Sequence, residues 1–116
     1  MSESSHEQIQ EALTPALDSA PFEISHVYLF GSHARGESTA ESDYDIALIA
    51  DGFAETPMVE RGHWFKREWP YVELGNLDLL CYTPEEFDDR VEAELSTALA
   101  ICEEGVDLLD ADAHPA

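Results

Sequence analysis

Two short stretches hold residues whose types and spacing suit chemistry. Gly31-Ser32 closes an apolar run, Val27-Tyr28-Leu29-Phe30, and Asp43-Tyr44-Asp45 opens another, Ile46-Ala47-Leu48-Ile49. Residues 33–42 separate Ser32 from Asp43 as a polar connection containing glycine and serine. A glycine at a strand end lets bare backbone N–H groups approach a phosphate. Carboxylates two residues apart on a strand project from one face, because side chains alternate. One face carrying two acids can hold a hard divalent cation, and the cation can hold phosphates. The combination predicts metal-assisted phosphoryl or nucleotidyl transfer.

Asp78 is the third residue of interest, alone among Leu77, Leu79 and Leu80. An acid in an apolar strand is costly to bury without a partner. Either it faces solvent on a polar side of the sheet, or its strand lies beside the one bearing Asp43 and Asp45. In the second case three carboxylates cluster, repel one another and call for a cation such as Mg²⁺. Two metals held ~3.5–4 Å apart would then suffice for transfer. One, held by Asp43, Asp45 and Asp78, would acidify an attacking hydroxyl, with Asp78 as general base. The other, held by Asp43, Asp45 and a triphosphate, would offset charge on leaving pyrophosphate. Ser32 and nearby N–H groups would grip the β- and γ-phosphates, and Gly31 would let them approach.

Neighbouring residues carry two readings each. His33 either touches phosphate or is a solvent-facing loop residue, the favoured reading. Arg35 pairs with a phosphate or clamps an acid of the loop. Arg61, Lys66 and Arg67 either meet nucleotide or an acidic partner, or form local ion pairs worth ~0–1 kcal/mol each. Trp64, Phe65 and Trp69 read as core in preference to a partner-binding patch. Tyr44 should point away from the acids and pack. His6, His26, His63 and His114 suggest no role.

The elements that must position these groups follow from periodicity. Residues 4–19 predict a helix: Ser4 or Ser5 caps, Glu7 and Gln8 follow three residues on, and Ile9, Leu13 and Leu17 recur every fourth residue. Pro15 is expected to kink or split it. Strands are expected at Ile24–Phe30, Tyr44–Ala50 and Leu77–Tyr82, the second covered on both faces. Pro57 to about Trp69 reads as a weakly amphipathic helix ended by Pro70. Thr83-Pro84-Glu85-Glu86 is a capping box opening a helix, with Phe87, Val91, Leu95, Ala98, Leu99 and Cys102 on its apolar face and Gly105 as its stop. Val106–Leu109 suggests a short last strand, and 110–116 a frayed tail. The fold class is therefore α/β: a small mixed sheet of three to four strands, with helices packed mainly on one face. One domain over 1–116 is expected from the length.

Charge narrows the class. Twenty-six acidic residues face five basic ones, a formal charge of -21, and Lys66 is the sole lysine. Such a chain repels nucleic acid, so no direct nucleic-acid partner is expected. A halophilic surface accounts for the balance, because salt screens repulsion to a Debye length of ~3 Å at 1 M. The rival is an acidic protein that mimics nucleic acid against a basic partner. No apolar run approaches the ~18 residues of a membrane span, and the acidic N-terminus is unlike a secretory signal. Cys81 and Cys102 lack metal or redox spacing and read as buried hydrophobes. A cytoplasmic location fits.

GSHARGESTAESDYDI resembles the signature of the minimal nucleotidyltransferases, a branch of the DNA polymerase β-like superfamily: Gly-Ser, ten residues, then Asp-x-Asp. LDLLCYTPEEF is similar to that family's third-acid strand and following helix, so the resemblance covers roughly residues 10–109. It implies that Gly31 and Ser32 bind a nucleoside triphosphate, with Arg35 added as a candidate from the reading above, and that Asp43, Asp45 and Asp78 bind Mg²⁺ and catalyse. It further implies a partner, a helical HEPN ribonuclease toxin, whose tyrosine receives AMP from ATP, with assembly between the two left open. Two rivals stand beside this antitoxin enzyme: a non-catalytic acidic protein that covers the toxin's RNA site, and a stand-alone transferase acting on a small molecule.

Overall fold

The computed structural model describes the backbone of residues 2–37, 39 and 42–109, and the side chains from residue 9 onward. The expected tail, His114, and the side chains of Ser4, Ser5, His6, Glu7 and Gln8 lie outside the described residues.

Four strands form one mixed sheet: β1 (His26–Phe30), β2 (Tyr44–Ile49), β3 (Leu77–Tyr82) and β4 (Val106–Asp107), in the order β3-β2-β1-β4. β1 pairs antiparallel with both β2 and β4, whereas β2 and β3 run parallel. A parallel pair needs a long crossover, and residues 51–76 supply it. β1 is shorter than expected, starting at His26 instead of Ile24.

The larger core lies on one face. Val27, Leu29, Ile46, Leu48 and Cys81 project there and meet Ile9, Leu13 and Ala16 of helix α1 (Ser2–Asp18), with Phe53, Phe65 and Trp69 of the crossover. Fully burying each such large side chain is worth ~1.5–3 kcal/mol. On the other face Phe30, Ala47 and Ile101 form a smaller cluster with Tyr28, Leu80 and Phe87. Ile46 to Ile49 are all buried, as a strand covered on both faces requires.

Pro15 does not split α1; it is exposed, so the backbone bond it cannot donate lies on the solvent side. The helix begins at Ser2, which places Ser4 and Ser5 inside it and not at its cap. The expected helix over 57–69 breaks at Gly62. A 3-10 turn covers Met58–Glu60, and helix α3 spans only His63–Glu68. Gly62 has φ 83°, and a Cβ there would stand 2.6 Å from Leu79 Cδ2 and 3.0 Å from Cys81 Sγ. The backbone must pass this close to β3, and only glycine permits it.

The capping box forms as read: Glu86 N–H donates to Thr83 Oγ1 and Thr83 N–H to Glu86 Oε1, both at 3.0 Å. The helix it opens is not continuous to 104. It divides into α5 (Pro84–Glu92) and α6 (Ser96–Glu104), because Glu94 turns left-handed at φ 58°. Glu94 N–H bonds Val91 O and Leu95 N–H bonds Arg90 O, the paired bonds of a Schellman ending. The restart changes the helical phase. Ala98 and Ile101 are buried, but Cys102 is exposed, contrary to the reading of it as a core residue. A further short helix, α4 (Tyr71–Leu74), follows Pro70.

Candidate active site

β1 ends at Phe30, and β2 and β3 begin near Asp45 and Asp78, so one end of the sheet gathers the residues of interest. Register pairs Phe30 with Asp45 across β1 and β2, and Asp45 with Asp78 across β2 and β3. Partners in register share a face, so both carboxylates project from the side bearing Phe30, Ala47 and Leu80. Asp43 precedes β2 by one residue and is exposed, as is Asp78, while Asp45 is half-buried.

The glycine turn is fitted to Asp45. Gly31 takes φ 78°, ψ −157°, a conformation L side chains rarely adopt. A Cβ there would also run into Asp45 Oδ2, with Asp45 Cγ at 3.1 Å. Helix α2 (Ser32–Arg35) starts immediately after, closed by Ala34 and Arg35 N–H groups donating to Gly31 O. The N–H groups of Ser32 and His33 open this turn and have no acceptor within it.

Electrostatics single out Asp45. Burial pushes its carboxyl above the ordinary value of 3.8, the charges of Asp78 and Asp43 push it further, and His33 and Arg35 pull it back. All three acids offer the hard oxygen donors that Mg²⁺ takes, and their mutual repulsion is what a bound cation offsets. The donor set therefore suits a divalent cation. Among the described residues, no three His, Cys, Asp or Glu side chains are gathered closely enough to hold a metal. The acids face one end of the sheet without closing on a point.

The flanking residues sort themselves. His33 is no free loop residue: it stacks on Tyr44 with centroids 3.6 Å apart, and its Nε2 donates to Ser42 O at 3.3 Å. Tyr44 also meets the edge of Trp69 at 5.5 Å, on the face away from the acids as expected. Arg35 clamps Glu37 of the loop at 2.9 Å, and Glu104 at 2.9 Å besides. Glu104 went unforeseen; it arrives from the last turn of α6, and no local pattern connects it to a loop 73 residues earlier. Arg61 forms a local ion pair, its fork on both oxygens of Glu86 at 2.7 and 3.2 Å, far from any nucleotide role. Lys66 and Arg67 are exposed and form no salt bridge among the described residues. Phe65 and Trp69 are buried core, and Trp64 packs against it. His26, to which the sequence suggested no role, bonds Asp107 at 2.6 Å and ties β4 to β1. A hollow of about 450 Å³ lies elsewhere, between α1 and Leu108-Leu109, and no predicted site residue lines it.

Comparison with known proteins gives this geometry a context. Residues 11–66 match the family described as Polymerase beta, Nucleotidyltransferase. No curated protein matches the chain. Among solved structures, a Sulfolobus solfataricus protein assigned as a nucleotidyltransferase is 25% identical, with TM-score 0.60 over 91% of this chain and 80% of that one. A toxin–antitoxin structure with AMP-PNP is 22% identical, with TM-score 0.57 over 85% of this chain and 71% of its own. A structure of tri-AMPylated HEPN toxin with MNT antitoxin from Shewanella oneidensis is 21% identical, with TM-score 0.50 over 93% and 71%. The fold is shared with these proteins. Among the described residues, no helix is long and apolar enough to cross a membrane.

Proposed function

We infer that this chain, whose residues 11–66 match the polymerase β nucleotidyltransferase family, transfers AMP from ATP to a hydroxyl, that of a tyrosine on a HEPN-type toxin, and so acts as its antitoxin. The observation that carries the reading is the register of Asp45 with Asp78 directly beneath the Gly31 turn. Support for the partner comes from the structural likeness to toxin–antitoxin structures, one of them a tri-AMPylated HEPN toxin with MNT antitoxin.

Each residue has a role in this reading. Gly31 brings the backbone against Asp45, and Ser32 with its N–H and that of His33 receives the phosphates. Arg35 adds a planar cation for the triphosphate. Asp43, Asp45 and Asp78 would hold Mg²⁺ once drawn together around it, and the ion would supply charge neutralisation for the phosphates and acidify the attacking hydroxyl. Asp78 is exposed at the strand's start and accepts the proton of the incoming hydroxyl. The stack of His33 on Tyr44 fixes the loop from the opposite face of the sheet.

The test is co-expression with the HEPN partner, comparing the wild type with Asp43→Asn/Asp45→Asn for cell growth and intact partner mass. The reading expects AMP-mass additions on the partner and growth with the wild type, and neither with the variant. A second reading rests on the charge of -21: the chain neutralises a toxin by covering a basic RNA site. Protection retained by the variant without any added AMP mass would select it.

A further inference from the structure

We propose that Glu104 occupies, in the free protein, the place a nucleotide phosphate takes, and that the triphosphate displaces it on binding. This rests on the reading that Gly31, Ser32 and Arg35 bind a nucleoside triphosphate.

The contacts are those of an anion in a receptor. Glu104 Oε1 accepts from Gly31 N–H at 3.3 Å and from Arg35 Nη1 at 2.9 Å, and its Oε2 stands 3.2 Å from the same nitrogen. A loop N–H and a guanidinium converging on one oxygen are the donors a phosphate oxygen uses. Glu104 reaches them from the C-terminal turn of α6, where the helix dipole disfavours a negative charge. Its own helix therefore repels it, and the loop holds it. Arg35 keeps a second partner, Glu37, so the guanidinium remains anchored when Glu104 leaves. Glu37 is 66% exposed and stands outside the bridged donors, whereas Glu104 is only 24% exposed.

Two anions cannot share these donors. Glu104 therefore keeps the turn formed without ligand and lowers the affinity for the ligand that replaces it. Neutralising its carboxylate should loosen the free protein yet tighten nucleotide binding. A residue that merely braces the loop would lose both together.

The experiment is isothermal titration with ATP and Mg²⁺, alongside thermal melting of the ligand-free protein. The chains compared are the wild type, Glu104→Gln, Glu104→Asp, Arg35→Ala, and Arg35→Ala with Glu104→Gln. Glu104→Gln should bind about tenfold tighter, equivalent to ~1.4 kcal/mol, and melt lower when free. Glu104→Asp, too short to bridge, should move in the same directions and serves if the amide variant fails to fold. In the Arg35→Ala background the gain should disappear. Unchanged or weaker binding by both Glu104 variants, with the wild type still binding, overturns the proposal and leaves the nucleotide reading standing. No binding by any of the chains overturns both.

Discussion

The two ends of the sheet treat acidic side chains in opposite ways. At the end where β3 stops, Glu86 receives both prongs of Arg61 and the Thr83 N–H, and these bonds hold its carboxyl below the ordinary 4.5. Asp107, at the same end, bonds His26 and the N–H groups of Val27 and Leu109. At the end where β3 starts, Asp43, Asp45 and Asp78 form no salt bridge among the described residues, and Asp45 is pushed up instead of down. With only five Lys and Arg residues available, the fold commits Arg61 to structure and leaves Asp43, Asp45 and Asp78 without a salt bridge among the described residues. Burial of Asp45 and its repulsion by Asp78 and Asp43 cost stability at this end.

The sharpest way to break this contrast is to neutralise the uncompensated end. Asp43→Asn/Asp45→Asn should lower AMP transfer by roughly 10²–10³-fold, the scale of a lost electrostatic stabiliser, while the melting temperature holds or rises. A melting temperature that falls would show those acids to be structural. At the compensated end the effect is on folding alone. Arg61→Ala removes the donor from Thr56 O, Cys81 O and both Glu86 oxygens, and urea unfolding should show a loss of about 3 kcal/mol. That figure is at the low end of the range for broken buried pairs, because Glu86 retains 32% exposure.

Gly31→Ala imposes a side chain at φ 78° and against Asp45. It should cost ~1–3 kcal/mol in the same assay and abolish ATP binding by calorimetry; retained binding would show the turn to be tolerant. Acid titration separates the ends more finely. Glu86 has a lowered value, so its contribution is present above the ordinary 4.5 and fades as pH falls through its folded value. Asp45 has a raised value, so its contribution favours folding at low pH and is lost as pH rises through its folded value. Urea midpoints measured from about pH 3 to 7 should lose their acid-side fall in Glu86→Gln and gain on the neutral side in Asp45→Asn. The smallest effect concerns the thiols. Cys102 is exposed and should react with a thiol reagent in the native state, whereas Cys81 is buried and pushed up to about 12. Native Cys81 labelling at the rate of Cys102 would contradict its packing under Gly62.

Much of this was legible in the residue string because it is local. The strand-loop-strand about Gly31, the capping box at Thr83 and the apolar β2 all follow from patterns a few residues long. What escaped detection depends on distant partners or on a glycine-like conformation in another residue. Glu94 ends α5 in a left-handed turn usually signalled by glycine, so the helix read straight through it and Cys102 was placed on the wrong face. Gly62 lies inside the span expected to be helical over 57–69, and nothing in the local pattern reports that β3 presses against it. The His26–Asp107, Arg61–Glu86 and Arg35–Glu104 bonds span 81, 25 and 69 residues, and no periodicity reports them. Of the expected site, register accounts for Asp45 beside Asp78, since both open adjacent parallel strands; the position of Arg35 between two acids has no such signature.

Strand β4 has a consequence for how the molecule is made. Its two residues close β1 by pairing Val106 with Leu29 and Asp107 with Tyr28. A ribosome synthesising the chain exposes β1 long before those partners exist. Until they arrive, that edge offers unpaired amides and carbonyls to any neighbouring strand. Slow translation would prolong this interval, so the nascent chain's hazard is edge-to-edge association at β1.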